Sequence, residues 1–181
     1  MFLFWGRLVV RLACLLLLLC MTIAADEFEP PEVAVPTSAW QARTVAGQWT
    51  KARIVMAVPG GAEKELVRTL RVVAVKEEGP HRHVRVDVNV NYAGNRETTV
   101  ERYVAREDVQ LPAPAEEKNL GEQVLTVSGV KLVCRLTERT TSADPPVTIR
   151  TWNCDRVPLD AVVRIEHNGK AVFEVVDYGP K

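Results

Sequence analysis

Apolar and polar residues alternate along most of the chain from Trp49 onward, and the alternation has a period of two. Between His83 and Asn91 the pattern is cleanest. Val84, Val86, Val88 and Val90 fall on one side, while His83, Arg85, Asp87, Asn89 and Asn91 fall on the other, a sorting that only a strand achieves. Upstream, Trp49 to Val58 alternates through Ala52, Ile54 and Met56 and runs into Pro59-Gly60-Gly61, a turn signal. Glu65 to Lys76 predicts a second strand. Its later half is apolar on both sides (Leu70, Val72, Val73, Ala74, Val75), as in a central strand, and Glu77-Glu78-Gly79-Pro80 breaks it. Tyr92-Ala93-Gly94-Asn95 turns the His83–Asn91 strand into a fourth, Thr98 to Ala105.

The stretch from Arg106 to Gly121, with Pro112 and Pro114, reads as a connection between two meanders. Beyond it three hairpins are expected. Val124–Val127 returns through Ser128-Gly129 into Val130–Thr140, and that strand returns near Asp144-Pro145-Pro146 into Val147–Cys154. Val162–Glu166 returns through Asn168-Gly169 into Ala171–Val176. The sum is eight to nine antiparallel strands on short links, with no long helix and no repeat of fixed period. A sheet of that size must curl or fold on itself to bury an apolar face. The expected fold is therefore all-β, or β with one short N-terminal helix from Thr37 or Ser38 through Val45. Its form is a curved sheet or half-barrel over residues 39–181, with a small β-sandwich as the alternative.

The N-terminus departs from this pattern. Arg7 and Arg11 precede an apolar run that ends in Ala24-Ala25, the order of a secretory signal peptide over residues 1–25. The run is about 14 residues against the roughly 20 that span a bilayer, so no stable membrane span is expected once it is removed. Asp26 to Ser38, acidic and carrying Pro30, Pro31 and Pro36, reads as an extended leader. The chain then belongs outside the cytoplasm, in a periplasmic or extracellular setting, and the remaining stretch of about 155 residues suits a single domain.

Charge narrows the partners. The 23 basic and 23 acidic residues are interspersed and cancel, leaving no single-signed field to recruit nucleic acid. Catalytic candidates are thin, since Ser38, Ser128 and Ser142 lie in no nucleophile motif and no carboxylate pair stands out by spacing. His81 and His83 are two apart and point the same way on a strand, but with His167 the only other histidine the donor set for a metal is thin, and His81 and His167 read as exposed loop-edge residues. No enzyme activity, metal or cofactor is expected.

Cys134 and Cys154 follow the signal segment. If residue numbers across the hairpin near Asp144 sum to 288, then Cys134 faces Cys154, Leu136 faces Trp152 and Glu138 faces Arg150, all on one side of the ribbon. In an exporting compartment this register favours a structural disulfide, which would close a loop of about 20 residues and stabilise by about 3 kcal/mol. Two free buried thiols are the other reading.

The polar row Arg85, Asp87, Asn89 and Asn91 also has two readings, a solvated outer face or the lining of a concave one. In the second, Trp49, Tyr103 and Trp152 would add apolar contact to a ligand face.

Gly47-Gln48-Trp49, Gly121-Glu122, Val127-Ser128-Gly129, Leu132-Val133-Cys134, Thr151-Trp152, Val157-Pro158-Leu159 and Asp177-Tyr178-Gly179 together resemble a group of exported bacterial proteins of unknown function. That group is similar in outline to periplasmic lipoprotein carriers, half-barrels whose concave face holds acyl chains. The resemblance implies a curved antiparallel sheet and a binding or carrier module for an apolar ligand, a lipid or a lipidated partner. A structural or protein-interaction domain of the cell envelope, without a cavity, is the competing expectation. An apolar pocket of several hundred cubic ångströms would separate the two.

Overall fold

The computed structural model describes residues 32–36, 44–57, 61–106, 108–109, 117–159 and 161–180, which fall in one compact unit, Pro31–Lys181. The expected signal peptide lies outside them. So does the expected helix apart from Thr44 and Val45, which are not helical, and no helix occurs among the described residues.

Ten strands form one sheet: β1 (Glu32–Pro36), β2 (Trp49–Ala57), β3 (Glu63–Glu78), β4 (His81–Tyr92), β5 (Asn95–Arg106), β6 (Lys118–Val127), β7 (Val130–Thr140), β8 (Thr148–Asn153), β9 (Val162–His167) and β10 (Lys170–Gly179). Their order is β1-β5-β4-β3-β2-β10-β9-β8-β7-β6. Each expected hairpin is present, and two antiparallel meanders are joined where β2 pairs with β10. The sandwich alternative falls because one continuous sheet contains every strand among the described residues.

Two expectations are corrected. The domain does not start at residue 39: part of the extended leader, Glu32–Pro36, pairs with Arg102–Arg106 as β1, and the pairing is parallel, so the sheet is mixed. A five-residue strand of mixed character carries too little periodicity to be recognised alone. β6 also begins at Lys118, inside the stretch read as a connection. Gly121, at φ +94°, makes a bulge there, and Asn119 Oδ1 accepts the Gly121 N–H, which hides the alternation.

The turns follow from their residues. Ser128 and Gly129 have φ of 49° and 79°, and Asn168 and Gly169 have 50° and 79°. Both pairs are the doubly positive turn whose twist suits a hairpin.

The apolar positions bury in two clusters. One gathers Ala52, Val127, Leu132, Cys134, Leu136, Trp152, Cys154, Val157, Val163, Val175 and Tyr178. The other gathers Leu70, Val72, Val84, Val86 and Val88 from β3 and β4 with Leu159 from the loop after β8. Both show that the sheet is curved. β6 and β10 come within 8 Å between Cα atoms although three strands separate them, a distance of about 19 Å in a flat sheet. Leu159 likewise reaches β3 and β4 past three intervening strands, β9, β10 and β2. The sheet is not closed, since β1 and β6 have no shared ladder.

Candidate functional site: a polar groove across β2 to β5

The strand registers decide what shares the face opposite the valines. Lys51 pairs with Thr69, Thr69 with Asn89, and Asn89 with Thr98. One step along, Arg53, Val67, Asn91 and Arg96 align, and on the other side Trp49, Arg71, Asp87 and Val100 align. Side chains directly opposite one another in a ladder point the same way, so these three rows form one continuous face.

A groove of about 660 Å³ lies on it, its polar walls made by Lys51, Thr69, Arg71, Asp87, Asn89, Asn91, Arg96 and Thr98. Within it Asn89 Oδ1 accepts from Arg96 Nε at 3.2 Å, from Arg96 Nη2 at 2.9 Å and from the Thr98 hydroxyl at 2.8 Å. Three donors on one oxygen fix the amide, so its NH2 group is turned away from Arg96 and Thr98. The lining holds three cations and one carboxylate.

Asp87 and Asn89, placed by sequence on a ligand face, line this groove, and Asn91 joins them. Arg85 shares their side of β4 but pairs with Arg102, beyond the groove. Trp49 sits on the same face beside Arg71, outside the groove, with its indole against Gly179. A β-carbon at Gly179 would meet Trp49 Nε1 at 2.5 Å. Tyr103 and Trp152 are corrected. Tyr103 pairs with Val84 and packs on the second core cluster, its hydroxyl donating to Glu101. Trp152 pairs with Leu136 in the first cluster, and its Nε1–H donates to Gln123 at 2.9 Å. Both rings belong to the apolar interior, where strand aromatics bury most area. Sequence reading missed Thr69, Arg71, Arg96 and Thr98, polar residues on the strands that flank β4, and Lys51 on β2 beyond β3.

The register across the Asp144 hairpin is the expected one, with Leu136 on Trp152 and Glu138 on Arg150, whose Nε–H donates to Glu138 at 2.8 Å. Cys134 and Cys154 differ. The ladder ends at Asn153, and the Cys154 N–H turns to the Ala161 carbonyl at 2.7 Å. The structure holds both cysteines as free, buried thiols and not as the expected disulfide. Burial, with the Cys154 thiol beside it, pushes the Cys134 thiol up to about 11.

Among the described residues no three His, Cys, Asp or Glu side chains gather as a metal site. Nor is any helix long and apolar enough to cross a membrane.

No protein-family model matches the chain, and no curated protein matches it significantly. Among solved structures it is similar to a Bacteroides fragilis protein described as a candidate exported protein with a YmcC-like fold. The identity is 9% and the TM-score 0.46, over 76% of this chain and 97% of that one.

Proposed function

We propose that this is an exported, non-enzymatic binding module of the cell envelope, and that its ligand lies in the groove across β2 to β5. The N-terminal charge and apolar pattern supports export. The observation that carries the binding reading is the lining. Eight polar side chains from four strands, with Val67 and Val90 beside them, line an open groove of about 660 Å³, within the size range of small-molecule sites. Their chemistry favours a polar ligand over the acyl chain of a carrier, because three cations and two amides would lose water to hydrocarbon without new partners.

Native mass spectrometry of the protein isolated from the envelope, beside a Thr69→Trp variant that fills the groove, tests the site. A polar adduct on the wild type that the variant lacks is expected. A lipid adduct, or no adduct at all, would overturn the reading.

A second reading has its own support. β6 is an edge strand, and Leu120, Val124 and Val133 are exposed large apolar residues on or beside it, with Val124 at 60%. Strand addition by an envelope protein would use this edge. Loss of partner capture on Val124→Lys, with the groove intact, would favour it.

A further inference from the structure

The geometry points to an acceptor-rich anion, carrying carboxylate or phosphate, as the ligand of the groove, held between Lys51 on β2 and Arg71 on β3. This rests on the reading that the groove is a binding site. Lys51 lies opposite Thr69, which makes Arg71 its diagonal neighbour on the same face, at a spacing of about 7 Å. That is a span one oxyanion group or a short acidic ligand can bridge.

The contrast with Arg53 supports the assignment. Arg53 is two residues from Lys51 on the same strand and face, and it is neutralised by Glu174 at 2.6 Å and Glu65 at 3.8 Å. Among the described residues Lys51 and Arg71 form no such pair, although acids stand close in the ladder. Asp177 is opposite Lys51, but its Oδ1 accepts the Tyr178 N–H at 3.0 Å. Asp87 is opposite Arg71, yet no salt bridge joins them. Arg164, in the same row as Arg53 and Glu174, is likewise paired, with Glu166 and Glu174, so Lys51 and Arg71, left without a carboxylate in a groove, mark a place for a charge from outside.

The remaining walls also offer donors. With its oxygen saturated by Arg96 and Thr98, Asn89 has only its amide NH2 left to offer a ligand. Asn91 and the Thr69 hydroxyl flank it. Asp87, the one acid in the lining, stands at the Arg71 end and can accept from a ligand hydroxyl.

The test is a titration of the isotope-labelled protein with inorganic pyrophosphate, with citrate and with sodium chloride at matched ionic strength, followed by amide NMR. Saturable shifts confined to Lys51, Thr69, Arg71, Asn89 and Asn91 are expected with one or both polyanions, and the stronger of the two identifies phosphate or carboxylate. Lys51→Gln and Arg71→Gln should each weaken binding about tenfold or more, the scale of a charge-assisted contact, while Lys51→Arg should retain it. Shifts that follow chloride equally, or that survive Lys51→Gln with Arg71→Gln, would overturn the assignment. Should an uncharged polyhydroxylated ligand bind the groove while both anions fail, the binding site would stand and the anion would fall.

Discussion

Single residues set the tolerances of this sheet. Gly179 is the clearest, because the Trp49 indole occupies the space a side chain would take. Gly179→Ala should destabilise by about 1–3 kcal/mol, as overpacking does, and Trp49→Leu should relieve that cost in the double variant, read by chemical denaturation. Leu132 is fully buried at the centre of the larger cluster, so Leu132→Ala should cost about 2–5 kcal/mol. Glu174, although it touches both Arg53 and Arg164, is about a third exposed, and Glu174→Gln should cost no more than about 1 kcal/mol. Cys134 carries a chemical prediction. With its thiol raised to about 11, roughly one molecule in a thousand is thiolate at pH 8, so the folded, reduced protein should resist alkylation until it is unfolded. A folded-state value above the unfolded one means a contribution that is whole below pH 9.0 and falls as pH rises toward about 11, and Cys134→Ala should flatten that limb.

Among the elements, position in the sheet orders stability. β4 is paired on both sides along its length and carries Val84, Val86 and Val88 into the core, whereas β6 is paired on one side, bulged and mostly exposed. Hydrogen exchange should therefore be slowest in β3 and β4 and fastest in β1 and β6. Equal protection of β6 and β4 would mean that the β6 edge is covered. The element scale is also where the sequence was most legible. β4 was plain from its valines, and the Ser128-Gly129 and Asn168-Gly169 turns fixed two hairpins. The groove was half legible. Asp87, Asn89 and Asn91 were visible on β4, but their neighbours needed registers. The β4–β5 register follows from its turn, centred between Ala93 and Gly94. The β3–β4 ladder was harder, because the bulge between Val72 and Ala74 shifts it midway. Tyr103 and Trp152 misled because an aromatic on a strand carries no mark of which face it takes.

For the whole molecule, the pairing of β2 with β10 is what makes two meanders one sheet, and no local pattern announces it, since 121 residues separate Arg53 from its partner Glu174. Across this seam a row of charges runs from Glu65 through Arg53, Glu174 and Arg164 to Glu166. Each pair is modest by itself, and together they tie β3, β2, β10 and β9. The larger consequence is for the site. With β2 held on both sides, Lys51 is fixed against Thr69 and Arg71, and the groove has a rigid wall. The measurement that bears on this most directly is the set of cross-strand nuclear Overhauser contacts made by β2 in solution. Contacts are expected from Thr50 to both Leu70 and Tyr178, and from Lys51 to both Thr69 and Asp177. Contacts to β3 alone, with β10 paired elsewhere, would contradict the single sheet and the groove built upon it.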